Sequence, residues 1–173
     1  MTRIGVISDT HSFLDPQLLP QLEQCDEIWH AGDLGNRDVL DTLVAMDKTL
    51  RIVYGNIDGH DIRIDTQEEL IWDVEQHKVL MTHIGGYPGR YPAKIKQRLL
   101  QVRPTIFVCG HSHILKVIYD KQLQLLHINP GACGKVGFQK VRTMIRFGID
   151  GDSICDMQII EISPNHDLYR DFE

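Results

Sequence analysis

Residues 26–56, DEIWHAGDLGNRDVLDTLVAMDKTLRIVYGN, decide the fold. DEIWHA (26–31) is a short apolar run of strand length, NRDVLDTLVAM (36–46) has helical spacing with Asn36 placed to cap it, and LRIVYG (50–55) is a second strand. Both strands are apolar on both faces, and a helical segment separates them. That order predicts parallel pairing through a right-handed crossover. Upstream, RIGVI (3–7) adds another buried strand, and DPQLLPQLEQ (15–24) a helix with Asp15 as cap, Pro16 in the first position and Pro20 shortening or kinking it. The first third therefore reads β-α-β-α-β.

Beyond Asn56 the pattern changes. ELIWDVEQHKVLMTH (69–83) holds two strand-like runs around a polar turn, which predicts a hairpin or meander. PAKIKQRLLQV (92–102) is helical and stops at Pro104, and TIFVCG (105–110) is a buried strand. LKVIYDKQLQLLHI and TMIRFGIDGDSICDMQIIEI read as two more hairpins, the second turning at Asp150-Gly151. Two mixed sheets packed face to face with helices outside accommodate this order. With no linker or repeat, residues 1–173 are expected to form one domain.

At 173 residues the chain can bury roughly two thirds of its unfolded surface, so folding does not require a staple. The formal charge of −6, from 24 acids against 18 bases, excludes a general electrostatic grip on nucleic acid. Cys25, Cys109, Cys133 and Cys155 form no C-x-x-C pair, which favours reduced thiols over a zinc ribbon or redox motif. No apolar stretch reaches the ~18 residues of a membrane helix, and MTRIGVISDTH has too short an apolar run for a signal peptide. A soluble, cytoplasmic protein is expected. Apolar C-terminal hairpins offer a surface for a homo-oligomer.

The strand ends carry the chemistry. They read ISDTHS, WHAGDLG, VYGNIDG, MTHIGG and CGHSHI, which puts Asp9, His11, Asp33, Asn56, His83, His111 and His113 beyond the carboxyl ends of strands, where α/β sheets gather ligands. Taken singly, Asp9-x-His11 reads equally as a turn and helix cap, Gly32-Asp33 and Gly55-Asn56 are turn residues, and His83 suits a hydrogen-bonded strand end. His111 and His113 resist that treatment, because two desolvated imidazoles repel if both are protonated. A divalent cation removes the difficulty. Seven carboxylate, amide and imidazole ligands exceed one tetrahedral zinc site and suit two ions of higher coordination that share Asp33. Such a pair, ~3.5–4 Å apart, lowers the pKa of a bridging water and holds a phosphoryl group. Two carboxylates and a hydroxide against two divalent cations leave a net positive charge, so the site attracts an anion. Manganese is placed first, with iron, zinc and nickel as alternatives.

SDTH, HAGD, GN, TH before a glycine-rich loop, and GHSH, in this order, resemble the calcineurin-like metallophosphoesterase superfamily. The short length and the GNID and NPGA variants resemble its small single-domain branch of YfcE-like phosphodiesterases. The resemblance runs from Met1 to about Gly134. It implies a four-layer α/β/β/α sandwich and in-line hydrolysis of a phosphoester, from a small molecule or nucleotide, by metal-bound hydroxide. It further implies that Asp9, His11, Asp33 and His113 hold one metal, and that Asp33 bridges to a second completed by Asn56, His83 and His111. Asp33, Asn56 and His111 are thereby also catalytic. A retromer subunit also resembles the family, so a metal-binding interaction scaffold with little turnover is the alternative; a scaffold could lose ligands without penalty, and none is lost here.

Many members place a histidine directly after the metal-binding asparagine, where it can stabilise the transition state or protonate the leaving oxygen. Ile57 stands there, leaving Asp58 and His60 as nearby catalytic candidates. An ordinary Asp58 is ionised at neutral pH and better suited to bonding backbone, and His60 lacks a fixed direction. Leaving-group protonation is then weak or left to water, which favours aryl diesters over alkyl ones. IGGYPGRYP (84–92) can bring Tyr87 or Arg90 over the site, with Arg37 a third substrate-binding candidate. NPGACG (129–134) predicts a tight turn beside the metals, with Ala132 where relatives often have Ser. His30 reads as a supporting or core histidine, and His77, His127 and His166 receive no role.

Overall fold

The computed structural model describes residues 1–162; His166 and the end of the expected domain lie outside the described residues. β1 (Thr2–Ile7), β2 (Glu27–His30) and β3 (Thr49–Ile52) pair in parallel, with α2 (Arg37–Ala45) crossing between β2 and β3. Asn36 caps α2 by accepting the Val39 N–H at 3.2 Å. The antiparallel strands β9 (Arg142–Asp150) and β10 (Ser153–Ile162) extend this sheet beyond β1, giving the order β10-β9-β1-β2-β3. The second sheet, β4-β5-β6-β8-β7, comprises β4 (Glu69–Val74), β5 (His77–Thr82), β6 (Ile106–Val108), β7 (Leu115–Asp120) and β8 (Leu125–Pro130). It too mixes parallel and antiparallel pairs.

Alternation along the strands divides the apolar residues among three layers. Ile4, Val6, Trp29, Val79, Val108, Ile145 and Phe147 fill the space between the sheets, where Trp29 meets Trp72 and Phe147 edge to face. Ile7, Ile28, Leu40, Leu43 and Ile62 cover the outer face of the first sheet under α1 (Leu19–Glu23), α2 and α3 (His60–Arg63). Leu80, Leu99 and Phe107 do so for the second sheet under α4 (Ala93–Val102). The expected α/β/β/α sandwich of two mixed sheets is the observed one.

Three local expectations need correction. The helix expected over 15–24 is regular only from Leu19. Asp15 does cap a turn, accepting Gln17 N–H at 2.9 Å, but its other oxygen binds Arg142 at 2.6 Å in a buried ion pair. Pro20 then falls in the first helical turn, where its missing N–H costs nothing, so the five-residue helix is short, as expected, with Pro20 at its start. The last hairpin turns one residue later than expected, on Gly151-Asp152, where Gly151 takes φ +64°. Last, α3 follows directly after the asparagine loop, a turn of helix too short for periodicity to reveal.

Candidate metal centre

The loops after β1, β2, β3, β5 and β6 converge at one edge of the sandwich. Asp9, His11, Asp33, His111 and His113 all have φ between 45° and 68°, the left-handed region that costs most residues 1–3 kcal/mol but is mildest for Asp, Asn and His. These bends make Asp9-x-His11 and His111-x-His113 turn back on themselves. Their side chains then meet across the two sheets.

Two clusters result. Asp9, His11 and His113 form one and Asp33, His83 and His111 the other, the ligand atoms of each lying within 4.8 Å of one another. Asn56 Oδ1 joins the second at 3.1 Å from His83 Nε2. Asp33 Oδ2 lies 3.6 Å from His11 Nε2 and 3.2 Å from His83 Nε2, so one carboxylate oxygen faces both clusters. The seven side chains expected from the sequence are thus brought together.

Backbone and amide groups fix the direction of four of these side chains. His83 donates Nδ1–H to Ala31 O at 2.7 Å and His113 donates Nδ1–H to Gln139 Oε1 at 2.9 Å, which leaves both Nε2 atoms for the centre. Asp9 Oδ2 accepts His111 N–H at 3.1 Å, and Asp33 Oδ1 accepts Ile57 N–H at 3.1 Å. Gly55 is required for contact: a Cβ there would strike the Asp33 carboxylate. His30 accepts Gly32 N–H at Nδ1 and donates to Thr10 at Nε2, and full burial lowers its pKa to about 4; it is a neutral support behind the Asp33 loop.

The donor set fits cations better than protons. Asp9 Oδ1 is fully buried without a directed hydrogen bond, and Nε2 of His11 and His113 face one another at 3.3 Å. Burial opposes charge on Asp9 and Asp33, yet His11 and His113 beside Asp9, and His83 and Ile57 N–H beside Asp33, hold both below the usual carboxylate range. The same contacts raise His113, through Asp9, and raise His83, whose burial works the other way and is outweighed by Asp33. Deprotonated carboxylates aimed at imidazole nitrogens are the ligand set of a hard or borderline divalent ion.

A model of the calcineurin-like phosphoesterase superfamily domain matches residues 2–152. The chain belongs to that superfamily. A probable metallophosphoesterase of Methanocaldococcus jannaschii is 28% identical over 136 residues, covering 75% of this chain and 67% of that protein. A novel archaeal phosphodiesterase superposes with a TM-score of 0.70 at 19% identity, over 92% of this chain and 99% of that one. Vps29 of Entamoeba histolytica in complex with zinc superposes at 0.71 with 17% identity, over 94% and 99%. At such identity the two structures show the fold alone. No helix among the described residues is long and apolar enough to cross a membrane.

The other candidates in this superfamily member are placed less uniformly. Asp58 is buried, and its carboxylate accepts the N–H groups of Leu34, Gly35 and Gly55 at 3.2, 2.8 and 2.8 Å, clamping the Asp33 and Asn56 loops together. His60 opens α3 and is exposed, and among the described residues its ring makes no hydrogen bond or ion pair. Arg37, expected over the site, is instead committed to Asp41 one turn along α2, to Asp65 just after α3 and to the carbonyl of Asp61 on α3. Tyr87 lies under Lys116, 4.3 Å from ring centre to Nζ, and Arg90 is exposed; neither bonds to a metal ligand. The 129–134 turn does dock beside the centre: Cys133 and Gly134 donate to the carbonyls of Ser8 and Asp9, and Asn129 binds Gly110 O and Ser112 Oγ. Cys109 and Cys133 are buried thiols, pushed up to about 12 by burial. Sequence reading missed Gln139, which sits in a loop with no periodicity; only its place after the 129–134 turn hinted at it.

Proposed function

We propose that the chain is a dinuclear, metal-dependent phosphodiesterase, with manganese the first candidate ion. The observation that carries this reading is Asp33 Oδ2, which faces His11 of one cluster and His83 of the other. Bound divalent cations supply an activated water and the positive charge that stabilises a phosphoryl group in flight. The chain supplies the rest. Asp33 holds the two sites in register; Ala31 O and Gln139 aim His83 and His113; the Asp58 clamp fixes the loop that presents Asn56. Asn56 and His111 are the exposed ligands, so they border the face at which a phosphoester enters. Asp58 has its oxygens occupied by backbone donors and His60 has no fixed direction, which supports a leaving group that departs as a stable anion.

The test is metal content and turnover of bis(p-nitrophenyl) phosphate, compared with an alkyl diester and a monoester. Asp33→Asn is expected to lose at least one of two bound ions and to lower kcat by roughly a hundredfold or more, the scale of removing a main electrostatic element. Full turnover in that variant overturns the dinuclear reading. The likeness to Vps29 supports a second reading, an interaction scaffold; a folded, metal-loaded protein without turnover on any ester favours it.

A further inference from the structure

A cleft of about 830 Å³ opens at Asn56 and His83 and runs between α4 and the start of β4. That volume is within the range of small-molecule sites. Two acids, Glu68 and Glu69, and three bases, Arg63, Lys94 and Arg98, line it. Arg98 is paired with Glu69 at 2.8 Å and Lys94 with Glu68 at 3.6 Å. Arg63 pairs with no carboxylate among the described residues. It donates instead to two carbonyls, Asp58 O at 2.6 Å and Gly55 O at 3.3 Å, and its guanidinium lies 4.5 Å over the Tyr54 ring. Two of its five N–H donors are engaged, and the others are left for a ligand.

In a chain of net charge −6, a guanidinium with no carboxylate partner, bonded to the carbonyl of the residue before Asn56, marks a place for an anion. The two carbonyls and the ring hold it before any ligand arrives, so little side-chain entropy is lost on binding. We propose that this cleft takes the arm of a phosphodiester that carries a second anionic group, a phosphate or carboxylate, and that Arg63 receives that group. The inference rests on the phosphodiesterase reading and narrows its substrate class: a plain neutral-armed diester fills the metal site but leaves Arg63 unmet.

Calorimetry on the full manganese-loaded chain tests it with adenosine 5′-monophosphate, adenosine 3′,5′-bisphosphate, and the monophosphate bearing a 3′-hemisuccinate. The bisphosphate is expected to bind about tenfold tighter than the monophosphate, the scale of one charge-assisted hydrogen-bonded contact. The hemisuccinate tells a carboxylate-accepting site from one selective for phosphate. Arg63→Gln should bring the ratio close to one, Arg63→Lys should restore part of it, and Glu69→Gln, which frees Arg98, should raise it several-fold. A ratio of one in the wild-type chain, or an equal loss for all ligands in Arg63→Gln, overturns the proposal; the second result makes Arg63 a loop fastener only. Repeating the titrations after chelation separates the two claims. A bisphosphate preference that survives metal removal keeps the cleft while rejecting a metal-anchored phosphate, whereas metal-dependent monophosphate binding with no preference does the reverse.

Discussion

Gln139 connects the loop after β8 to the centre through one 2.9 Å hydrogen bond to His113 Nδ1, while its amide nitrogen binds the carbonyls of Gly134 and Val136. Replacing it with Leu keeps the volume but removes the acceptor that fixes the ring and its tautomer. Metal affinity of the first cluster should fall by about 10–100-fold, read by competition with a chelator, while Gln139→Glu should retain most of it. An unaltered affinity in the Leu variant would show that packing alone aims His113. The contrast with Asn56 explains what can be read residue by residue. Each of the seven candidate ligands closes an apolar run, and such a break is visible in a chain written out. Gln139 and Arg63 have no such frame: their partners are a ring and a pair of carbonyls that only the folded loops bring near.

At the scale of elements, the strand and helix order of the first third was legible because β1, β2, β3 and α2 each carry their own periodicity. The start of α1 was not. Asp15-Pro16 looks like a helix opening, and Asp15 does cap a turn, but its second oxygen answers to Arg142 of β9, 127 positions away. Both partners are buried, at 5% and 4% exposure, so removing the Asp15 carboxylate withdraws a charge-assisted partner from a buried guanidinium. Asp15→Ala should destabilise the fold by about 2 kcal/mol, the scale of one hydrogen bond to a charged group, seen as a lower urea midpoint with an unchanged slope. A shift below ~1 kcal/mol would mean that β9 and the β1–α1 loop are held by other contacts. Arg37 is the converse case: its position after Asp33 suggested substrate, whereas Asp41 on its own helix and Asp65, brought near by the unforeseen α3, claim it.

For the whole molecule, acid stability is set in part by a histidine remote from the centre. His127 on β8 is fully buried among Tyr91 and Phe107, and burial, with Lys116 adding to it, lowers its pKa to about 4. Its unfolded value is near ~6.5. Above that pH both states are neutral and nothing is gained or lost. As pH falls below it, the unfolded chain takes up a proton that the folded chain refuses, so stability declines until about pH 4. Between pH 7.5 and 5 the cost is about 2 kcal/mol. His127→Phe should flatten this part of a urea-stability profile, and an equal decline in both proteins would place the sensitivity elsewhere.

The two clusters have one more property in common: neither belongs to one sheet. Asp9 and His11 follow β1 while His113 follows β6; Asp33 follows β2 while His83 and His111 follow β5 and β6. An ion seated in either cluster is therefore a rivet through the seam of the sandwich. Parting the two sheets would dismantle both clusters, so an occupied centre adds RT ln(1 + [M]/Kd) to the work of parting them. The same ions that define the chemistry would then set how long the two halves stay together.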